Sequence, residues 1–239
     1  MTDSPHVLSN PSIAVIGAGA VGCYYGGLLA RAGLPVTLIG RQATVDLIHE
    51  RGLRVETDAF DESIAIRASA SIRDAVGADV VLVCVKSSDT ESAAHDLASL
   101  VRSDTLVVSL QNGVSNAAAL LRHLPCPIVP AGVYVATSLG GPGHVRHHGG
   151  GALVIGSPTE RPVEPAHLQA LVELFARAQI PVTLSTELSK VQWTKLVVNC
   201  AYNALSAITM NPYSTLVASP LVHEVMRQVV AEAGAVAKG

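Results

Sequence analysis

A chain of 239 residues is long enough to bury one large hydrophobic core or two smaller ones. Hydrophobic residues make up 49% of it, yet no apolar run reaches membrane-spanning length without an interrupting glycine, proline or charge, so we predict no membrane partner. The formal net charge of −3 argues against the strongly basic surface that nucleic-acid binding requires, and we predict no nucleic-acid partner.

The cysteines and the N-terminal residues predict the cellular compartment of the protein. Four cysteines lie singly in apolar surroundings with no C-x-x-C pair, and we expect buried free thiols in a reducing environment. They are Cys23, Cys84, Cys126 and Cys200. The first residues, MTDSPHVLSNPS, lack a basic stretch followed by an apolar one, so we expect no secretory signal and a cytoplasmic protein.

The first predicted element is a short buried strand, Ile13–Ile16, which leads directly into a G-x-G-x-x-G motif. A helical segment follows up to Ala32, and Gly33 is suited to ending it. A strand, the motif, a helix and a second strand within about thirty residues distinguish a dinucleotide site from an ordinary glycine-rich turn. We therefore predict that the cofactor's pyrophosphate binds at Gly17, Ala18, Gly19, Ala20, Val21 and Gly22.

The end of the second strand indicates which dinucleotide is bound. Pro35–Ile39 is predicted to be that strand, and an NAD site would place Asp or Glu after it to accept from the ribose 2′-hydroxyl. Here the chain reads Gly40-Arg41, with no acidic residue before Asp46. An arginine can bind a 2′-phosphate through two hydrogen bonds, so we predict NADPH as the cofactor; the alternative is an arginine on a surface loop.

Two further strands end in polar residues. The segment 79–86 predicts a buried strand that closes with Lys86 and precedes a capped helix, and the segment 105–114 predicts a strand that closes with Gln111 and Asn112. Either residue alone would fit an ordinary loop. Because open α/β sheets bind ligands beyond the carboxyl ends of their strands, Lys86 and Asn112 together become candidate cofactor or substrate ligands.

Residues 127–156 differ in character from the segments before them. Three β-rich pieces separated by Gly and Pro predict an antiparallel meander or an edge extension of the sheet. His144, His147 and His148 lie here, but strand alternation would send the last two to opposite faces. No carboxylate or thiol lies near them in the sequence, and we predict no metal site.

One helix and one strand complete the first predicted domain. The helix spans 163–178 and the strand spans 181–184. Strands that alternate with helices in this way predict an α/β fold with a parallel sheet. The Rossmann-type dinucleotide-binding domain is therefore predicted to occupy residues 1–186.

The segment 193–205, WTKLVVNCAYNAL, predicts a helix that is apolar over most of its circumference and therefore buried. At about 100° per residue, Lys195, Asn199 and Asn203 form one polar stripe along it, within an arc of about 80°. A solvated helix face is the alternative, but asparagine is a poor helix former and the stripe contains one cation and no acidic residue. The stripe therefore indicates a surface for an anionic or carbonyl-bearing ligand.

These motifs together resemble the ketopantoate reductase (2-dehydropantoate 2-reductase) family. The resemblance rests on GAGAVG, the arginine after the second strand, CVKSSDT, LQNGV and, above all, WTKLVVNCAYNALSAI, and it runs from Ile13 to the last residue. It implies an all-α C-terminal domain, residues 187–239, after the Rossmann-type domain, with the active site in the cleft between them. It also implies NADPH-dependent reduction of ketopantoate to pantoate in pantothenate biosynthesis.

The resemblance also implies roles for individual residues. The cofactor positions are Gly17, Gly19, Gly22, Arg41, Lys86 and Asn112, and the last two contact the nicotinamide end or the substrate. Lys195 corresponds to the proton donor, and Asn199 and Asn203 correspond to the amides that bind the small 2-oxo acid. The chemistry agrees, since hydride addition to a carbonyl creates an alkoxide that a partly buried ammonium can stabilise and protonate.

The sequence departs from the family pattern at its C-terminal end. Family members continue through several more helices that carry a serine and a glutamate for substrate and cofactor binding, and no residue here stands in for those two. The last segment, 219–239, predicts a helix with a broad apolar face. We therefore expect an incomplete helical domain and self-association, with a homodimer as the candidate assembly.

Two alternative functions stay open at this point. The chain could be a non-catalytic NADP(H)-binding protein that reports redox state, or it could be a reductase of a different 2-oxo acid, including a larger opine or sugar acid. Replacing Lys195 with alanine separates the enzyme from the redox sensor, because only the enzyme would lose turnover while keeping its affinity for NADPH.

Overall fold

The computed structural model describes residues 8–237, which divide into two structural units. The first unit extends to Leu188 and holds all the strands of the described residues, and the second begins at Ser189 and is helical. The predicted fold class, a Rossmann-type α/β sheet followed by helices, is therefore confirmed. Over residues 8–237 no helix is both long and apolar enough to cross a lipid bilayer.

The ten strands of the first unit join in one extended sheet. In chain order they are β1 (Ile13–Ile16), β2 (Val36–Ile39), β3 (Leu53–Glu56), β4 (Asp61–Ile64), β5 (Arg67–Ser69), β6 (Val80–Val83), β7 (Leu106–Ser109), β8 (Ile128–Gly141), β9 (His144–Ile155) and β10 (Val182–Leu184). Their order across the sheet is β4-β3-β9-β8-β7-β6-β1-β2-β5, and β10 pairs with β9. Because β1 pairs in parallel with β2 on one side and β6 on the other, the strand order reverses at β1, where open α/β sheets bind ligands.

The central parallel strands are buried on both faces, as their continuous apolar sequences predict. Helices pack beside them: α1 (Ala20–Arg31), α2 (Gln42–Arg51), α3 (Thr90–Leu97), α4 (Asn116–His123) and α5 (Pro165–Arg177). Alternate strand residues enter two separate apolar clusters, one containing Val15 and Leu82 and the other containing Ile16 and Val81. The sheet therefore separates two cores and holds the ends of β1 and β6 in fixed positions.

The helix after β6 begins differently from the prediction. A 3₁₀ turn over Ser87–Asp89 precedes α3, which starts at Thr90. The carboxylate of Asp89 accepts a hydrogen bond from the Ser88 hydroxyl at 3.1 Å and does not cap the helix with its side chain. The prediction of a capped helix is wrong, because Asp89 lies in the 3₁₀ turn and lacks the extended backbone from which a side chain caps a helix.

Two long strands replace the three β-rich pieces predicted for residues 127–156. β8 pairs in parallel with β7 over its first residues, and from Ala131 onward it pairs antiparallel with β9. The register shifts at three places along this hairpin, including Tyr134/Val135 and Leu139/Gly141. The antiparallel pairing was predicted correctly, but the number of pieces was wrong, because the glycines form bulges inside continuous strands and do not end them.

The second unit consists of α6 (Leu188–Thr209, whose first residue belongs to the first unit), α7 (Tyr213–Leu216) and α8 (Pro220–Val236). Its buried apolar cluster contains Ala201, Leu216 and Met226. The helix over 193–205 was predicted correctly, but its burial was not: most of its residues are partly or fully exposed. The apolar circumference of α6 is only partly covered because the cluster it shares with α7 and α8 is small. The predicted homodimer stays a prediction.

Candidate functional site

The turn after β1 depends on its glycines. Gly17 has a φ of +112°, and a Cβ there would lie 2.9 Å from the carbonyl carbon of Cys84. A Cβ on Gly22 would lie 2.0 Å from the carbonyl oxygen of Gly17, so larger residues would force α1 away from the turn. A Cβ on Gly19, in contrast, would meet no atom within 4 Å. The backbone therefore packs closely behind the turn and leaves open space in front of it.

The N-terminus of α1 faces this turn without a side-chain cap. Its N-cap residue is Gly19, no side chain accepts from the first N–H groups, and the first turn holds no acidic residue. Uncapped N–H groups and the positive end of the helix dipole favour an anion. The predicted motif thus has the geometry that binding a pyrophosphate requires.

Five of the predicted cofactor residues line one cavity of about 580 Å³ at the carboxyl end of β1. They are Gly17, Ala18, Gly19, Arg41 and Lys86. The remaining residues of the motif form the first turn of α1, directly after this lining. A cavity of this size at a helix N-terminus, lined by the cations of Arg41 and Lys86 and by the acid Asp89, suits a phosphorylated ligand.

Arg41 lies where β2 passes into α2 and is the N-cap residue of that helix. A Cβ on Gly40 would lie 2.4 Å from the Cβ of Ala18, so β2 ends directly against the glycine turn. The first acid after β2, Asp46, accepts a hydrogen bond from Gln42 Nε2 at 2.7 Å, one turn into the helix. The residue presented to this end of the cavity is therefore a cation.

A buried polar network that the sequence did not reveal links the ends of β6 and β7. Gln111 Nε2 donates to the Val85 carbonyl at 3.0 Å and to the Thr90 hydroxyl at 2.8 Å. The same hydroxyl donates to Asn116 Oδ1 at 3.0 Å, and Asn116 Nδ2 donates to the Asn112 carbonyl at 2.8 Å. The backbone at Asn112 is thereby held, although this residue is exposed and does not line the cavity. Polar residues directly after apolar strands were the only signal of this network.

Leu139 is a second residue that the sequence did not indicate. It belongs to β8, near the tip of the hairpin, yet it lines the same cavity as Arg41. The residue is 48% exposed, so it adds apolar surface to the lining near Arg41. Its position beside residues 16–89 depends on the pairing of β8 with β9 and β7, which no local sequence pattern predicts.

The predicted substrate residues lie on α6 in the second unit. Lys195 is half-buried, and burial lowers the pKa of its ammonium from the ordinary value of 10.5. Asn199 is half-buried and Asn203 is exposed. The amide oxygen of Asn203 accepts a hydrogen bond from the hydroxyl of Tyr213, a residue that sequence reasoning missed. The helix thus presents a cation of lowered pKa followed by two amides.

The histidines of the hairpin have separate partners. His144 Nε2 lies 2.8 Å from Glu56 Oε2, and His148 Nε2 lies 2.7 Å from the Ser138 hydroxyl. The ring of His147 stacks on that of Tyr24 with 4.7 Å between centroids. Within residues 8–237 no group of three His, Cys, Asp or Glu side chains is placed to hold a metal ion.

Two family models and several sequence relatives match most of this chain. The family model described as ketopantoate reductase PanE/ApbA matches residues 13–160, and the model of its C-terminal domain matches residues 187–239. A 2-dehydropantoate 2-reductase of Halobacterium salinarum is 33% identical over 95% of this chain and 75% of its own length. One from Pyrococcus horikoshii is 34% identical over 82% of this chain, which spans only 63% of that relative.

Solved structures show the same similarity. A PanE/ApbA family ketopantoate reductase from Ralstonia eutropha JMP134 has 49% sequence identity and a TM-score of 0.87, and the match covers 95% of this chain and 74% of that one. A D-mandelate dehydrogenase, solved with NADH and anilino(oxo)acetate, has a TM-score of 0.86 at 24% identity over 95% of this chain and 73% of that one. At that identity the second match shows the fold alone.

Proposed function

This chain belongs to the ketopantoate reductase family, and we propose on that premise that it reduces the 2-oxo acid ketopantoate to pantoate with NADPH. The observation that carries the proposal is the cavity at the end of β1, where the turn glycines, Arg41 and Lys86 lie beside an uncapped helix N-terminus. The proposal includes a division of the chain, in which residues 1–186 bind the cofactor and residues 187–239 belong to the helical substrate domain.

The residues of the cavity fit a phosphorylated dinucleotide. The missing Cβ at Gly19 leaves room for the pyrophosphate, and the N–H groups of α1 would donate to its oxygens. Arg41 would bind the 2′-phosphate, while Asp46 is engaged by Gln42 further along α2. A cation at this position favours NADPH over NADH.

The substrate chemistry rests on α6. When bound, NADPH supplies the hydride that reduces the keto carbon. Lys195 would protonate the resulting alkoxide oxygen, and burial makes its ammonium a stronger acid than that of a free lysine. Asn199 and Asn203 follow at intervals of about one helical turn and would bind the oxygens of the 2-oxo acid. Lys86 and Asn112 would contact the nicotinamide end of the cofactor or the substrate.

The test is oxidation of NADPH by the purified chain on addition of ketopantoate, followed at the absorption band of the reduced nicotinamide. Lys195→Ala should lower turnover by about 10²–10⁴-fold and leave the Kd for NADPH unchanged, since the proposed cofactor residues lie in the first unit. Lys190→Ala is the matched control, because it removes a lysine from the same helix about 140° around its axis.

Each outcome separates the proposed reductase from its alternatives. Turnover that requires Lys195 and not Lys190 supports the reductase. Tight NADPH binding without turnover in the unmutated chain would identify a non-catalytic NADP(H)-binding protein instead. A larger kcat/KM for another 2-oxo acid than for ketopantoate would keep the reaction and replace the substrate.

A further inference from the structure

The side chain of Asn203 is held by a residue from the next helix. Tyr213, the first residue of α7, donates its hydroxyl hydrogen to Asn203 Oδ1. Its ring also packs edge-on against Tyr202 on α6, with 5.2 Å between centroids and 63° between planes. Two different contacts therefore fix the tyrosine ring beside the polar stripe.

The turn between α6 and α7 holds Tyr213 in place. The Ser206 hydroxyl donates to the Asn211 carbonyl at 2.7 Å, and Asn211 Nδ2 donates to the Thr209 carbonyl at 2.9 Å. Leu216, at the other end of α7, is 3% exposed and belongs to the buried cluster of this unit. The tyrosine is thus anchored on both sides, by a hydrogen-bonded turn and by a buried leucine.

An amide whose oxygen already accepts a hydrogen bond presents its N–H groups to other ligands. The carboxylate and keto oxygens of a 2-oxo acid are acceptors only, so an amide turned the other way would place oxygen against oxygen. We infer that Tyr213 is a positioning residue that keeps Asn203 turned with its N–H groups toward the substrate oxygens. This inference rests on the proposed function and adds a residue to it.

Tyr213→Phe tests the inference because it removes the hydroxyl and keeps the ring that packs on Tyr202. We expect the KM for ketopantoate to rise about 3–10-fold, as loss of a hydrogen bond between neutral groups does, with kcat changed less than twofold and the Kd for NADPH unchanged. Tyr202→Phe is the matched control, because it removes the hydroxyl of the other ring of the same pair. The KM for ketopantoate should not change in this variant.

A double-mutant cycle shows whether Tyr213 acts through Asn203. In the Asn203→Ala background, Tyr213→Phe should have no further effect on KM, whereas additive effects, or an unchanged KM in the single variant, would overturn the inference. An unmutated chain that does not oxidise NADPH with ketopantoate would overturn the proposed function itself.

If Tyr213→Phe does not fold, NMR of the unmutated chain provides a second test. The side-chain N–H signals of Asn203 are identified by their loss in Asn203→Ala, and they must shift when pantoate and NADP⁺ are added. Absence of that shift would also overturn the inference.

Discussion

The carbonyl oxygen of Gly17 and the α-carbon of Gly22 approach so closely that a Cβ on Gly22 would lie 2.0 Å from that oxygen. Gly22→Ala must therefore push α1 away from the turn, because the contacted atom is a backbone oxygen and not the end of a flexible side chain. We expect the free energy of unfolding to fall by about 1–3 kcal/mol, the range for overpacked interiors. Urea denaturation followed by circular dichroism measures the change, and an unaltered midpoint would contradict this close packing.

Gly19→Ala is the matched substitution on the open side of the same turn. Its Cβ would meet no protein atom within 4 Å, so we expect a change in stability of less than about 0.5 kcal/mol. The added methyl group would occupy the space proposed for the pyrophosphate, and the Kd for NADPH should rise at least about tenfold, equivalent to about 1.4 kcal/mol. Titration of NADPH fluorescence measures this Kd, and unchanged binding would place the pyrophosphate elsewhere.

Arg41→Ala should change cofactor preference more than cofactor binding in general. Loss of a charge-assisted hydrogen bond to the 2′-phosphate corresponds to about 1.5–3 kcal/mol, so the Kd for NADPH should rise about 10–100-fold while that for NADH stays within about twofold. Arg51→Ala, at the opposite end of α2, is the control and should alter neither Kd. An equal rise in the Kd for NADPH and for NADH would show that Arg41 does not contact the 2′-phosphate.

The lowered pKa of Lys195 has a consequence for the pH dependence of the reaction. Burial lowers the pKa below the ordinary 10.5, and the proposed donor is the ammonium, which is lost as pH rises through that lowered value. We therefore expect kcat/KM for ketopantoate to fall on the alkaline side with an apparent pKa below 10.5. The residual rate of Lys195→Ala should lack this alkaline limb. A limb that persists in the variant would assign it to another group.

Asp79 should stabilise the first unit at neutral pH. Its Oδ2 accepts from the Ser12 N–H at 2.8 Å and from the Ser12 hydroxyl at 2.7 Å, and its Oδ1 accepts from Arg102 at 2.8 Å. Burial raises the pKa of this carboxyl, but the bonds from Ser12 and Arg102 outweigh it and hold the pKa below the ordinary 3.8. Asp79→Asn should therefore lower the free energy of unfolding by about 1–2 kcal/mol at pH 7.

The pH dependence of that loss provides the check. A carboxyl whose pKa is lowered by folding stabilises the protein above its unfolded pKa, and the stabilisation disappears as pH falls through the folded pKa. The difference between the unmutated chain and Asp79→Asn should thus be full at pH 7 and should shrink below pH 3.8. Urea denaturation at pH 7 and at a pH below 3.8 measures this difference in the free energy of unfolding. A difference independent of pH would argue against a role for the charge of Asp79.

Local sequence signals predicted the structure around the glycine turn well. β1 occupies the predicted residues Ile13–Ile16, Gly33 has the positive φ expected where α1 ends, and Arg41 lies at the cavity. These features depend on residues close together in the chain, namely an apolar strand, a glycine turn and the end of the next strand. Short-range patterns of this kind determine local structure directly.

Features that depend on distant partners were not predicted. Residues 127–156 form two strands with bulges, and these bulges depend on the pairing between β8 and β9. The same pairing brings Leu139 to the cavity. The burial of α6 depends on how much surface its neighbours cover, which a helical wheel does not contain. The bond from Tyr213 to Asn203 likewise requires the turn between two helices. Each of these features is a tertiary property, so the sequence pattern alone was insufficient.

β8 is a member of two strand systems, since its first residues pair with β7 and the rest pair with β9. Local unfolding of β8 would therefore remove the pairing partner of β7 and that of β9 at the same time. The amide protons of both regions should therefore exchange with solvent in a single cooperative opening, and a ligand held by the glycine turn should slow exchange in the hairpin as well.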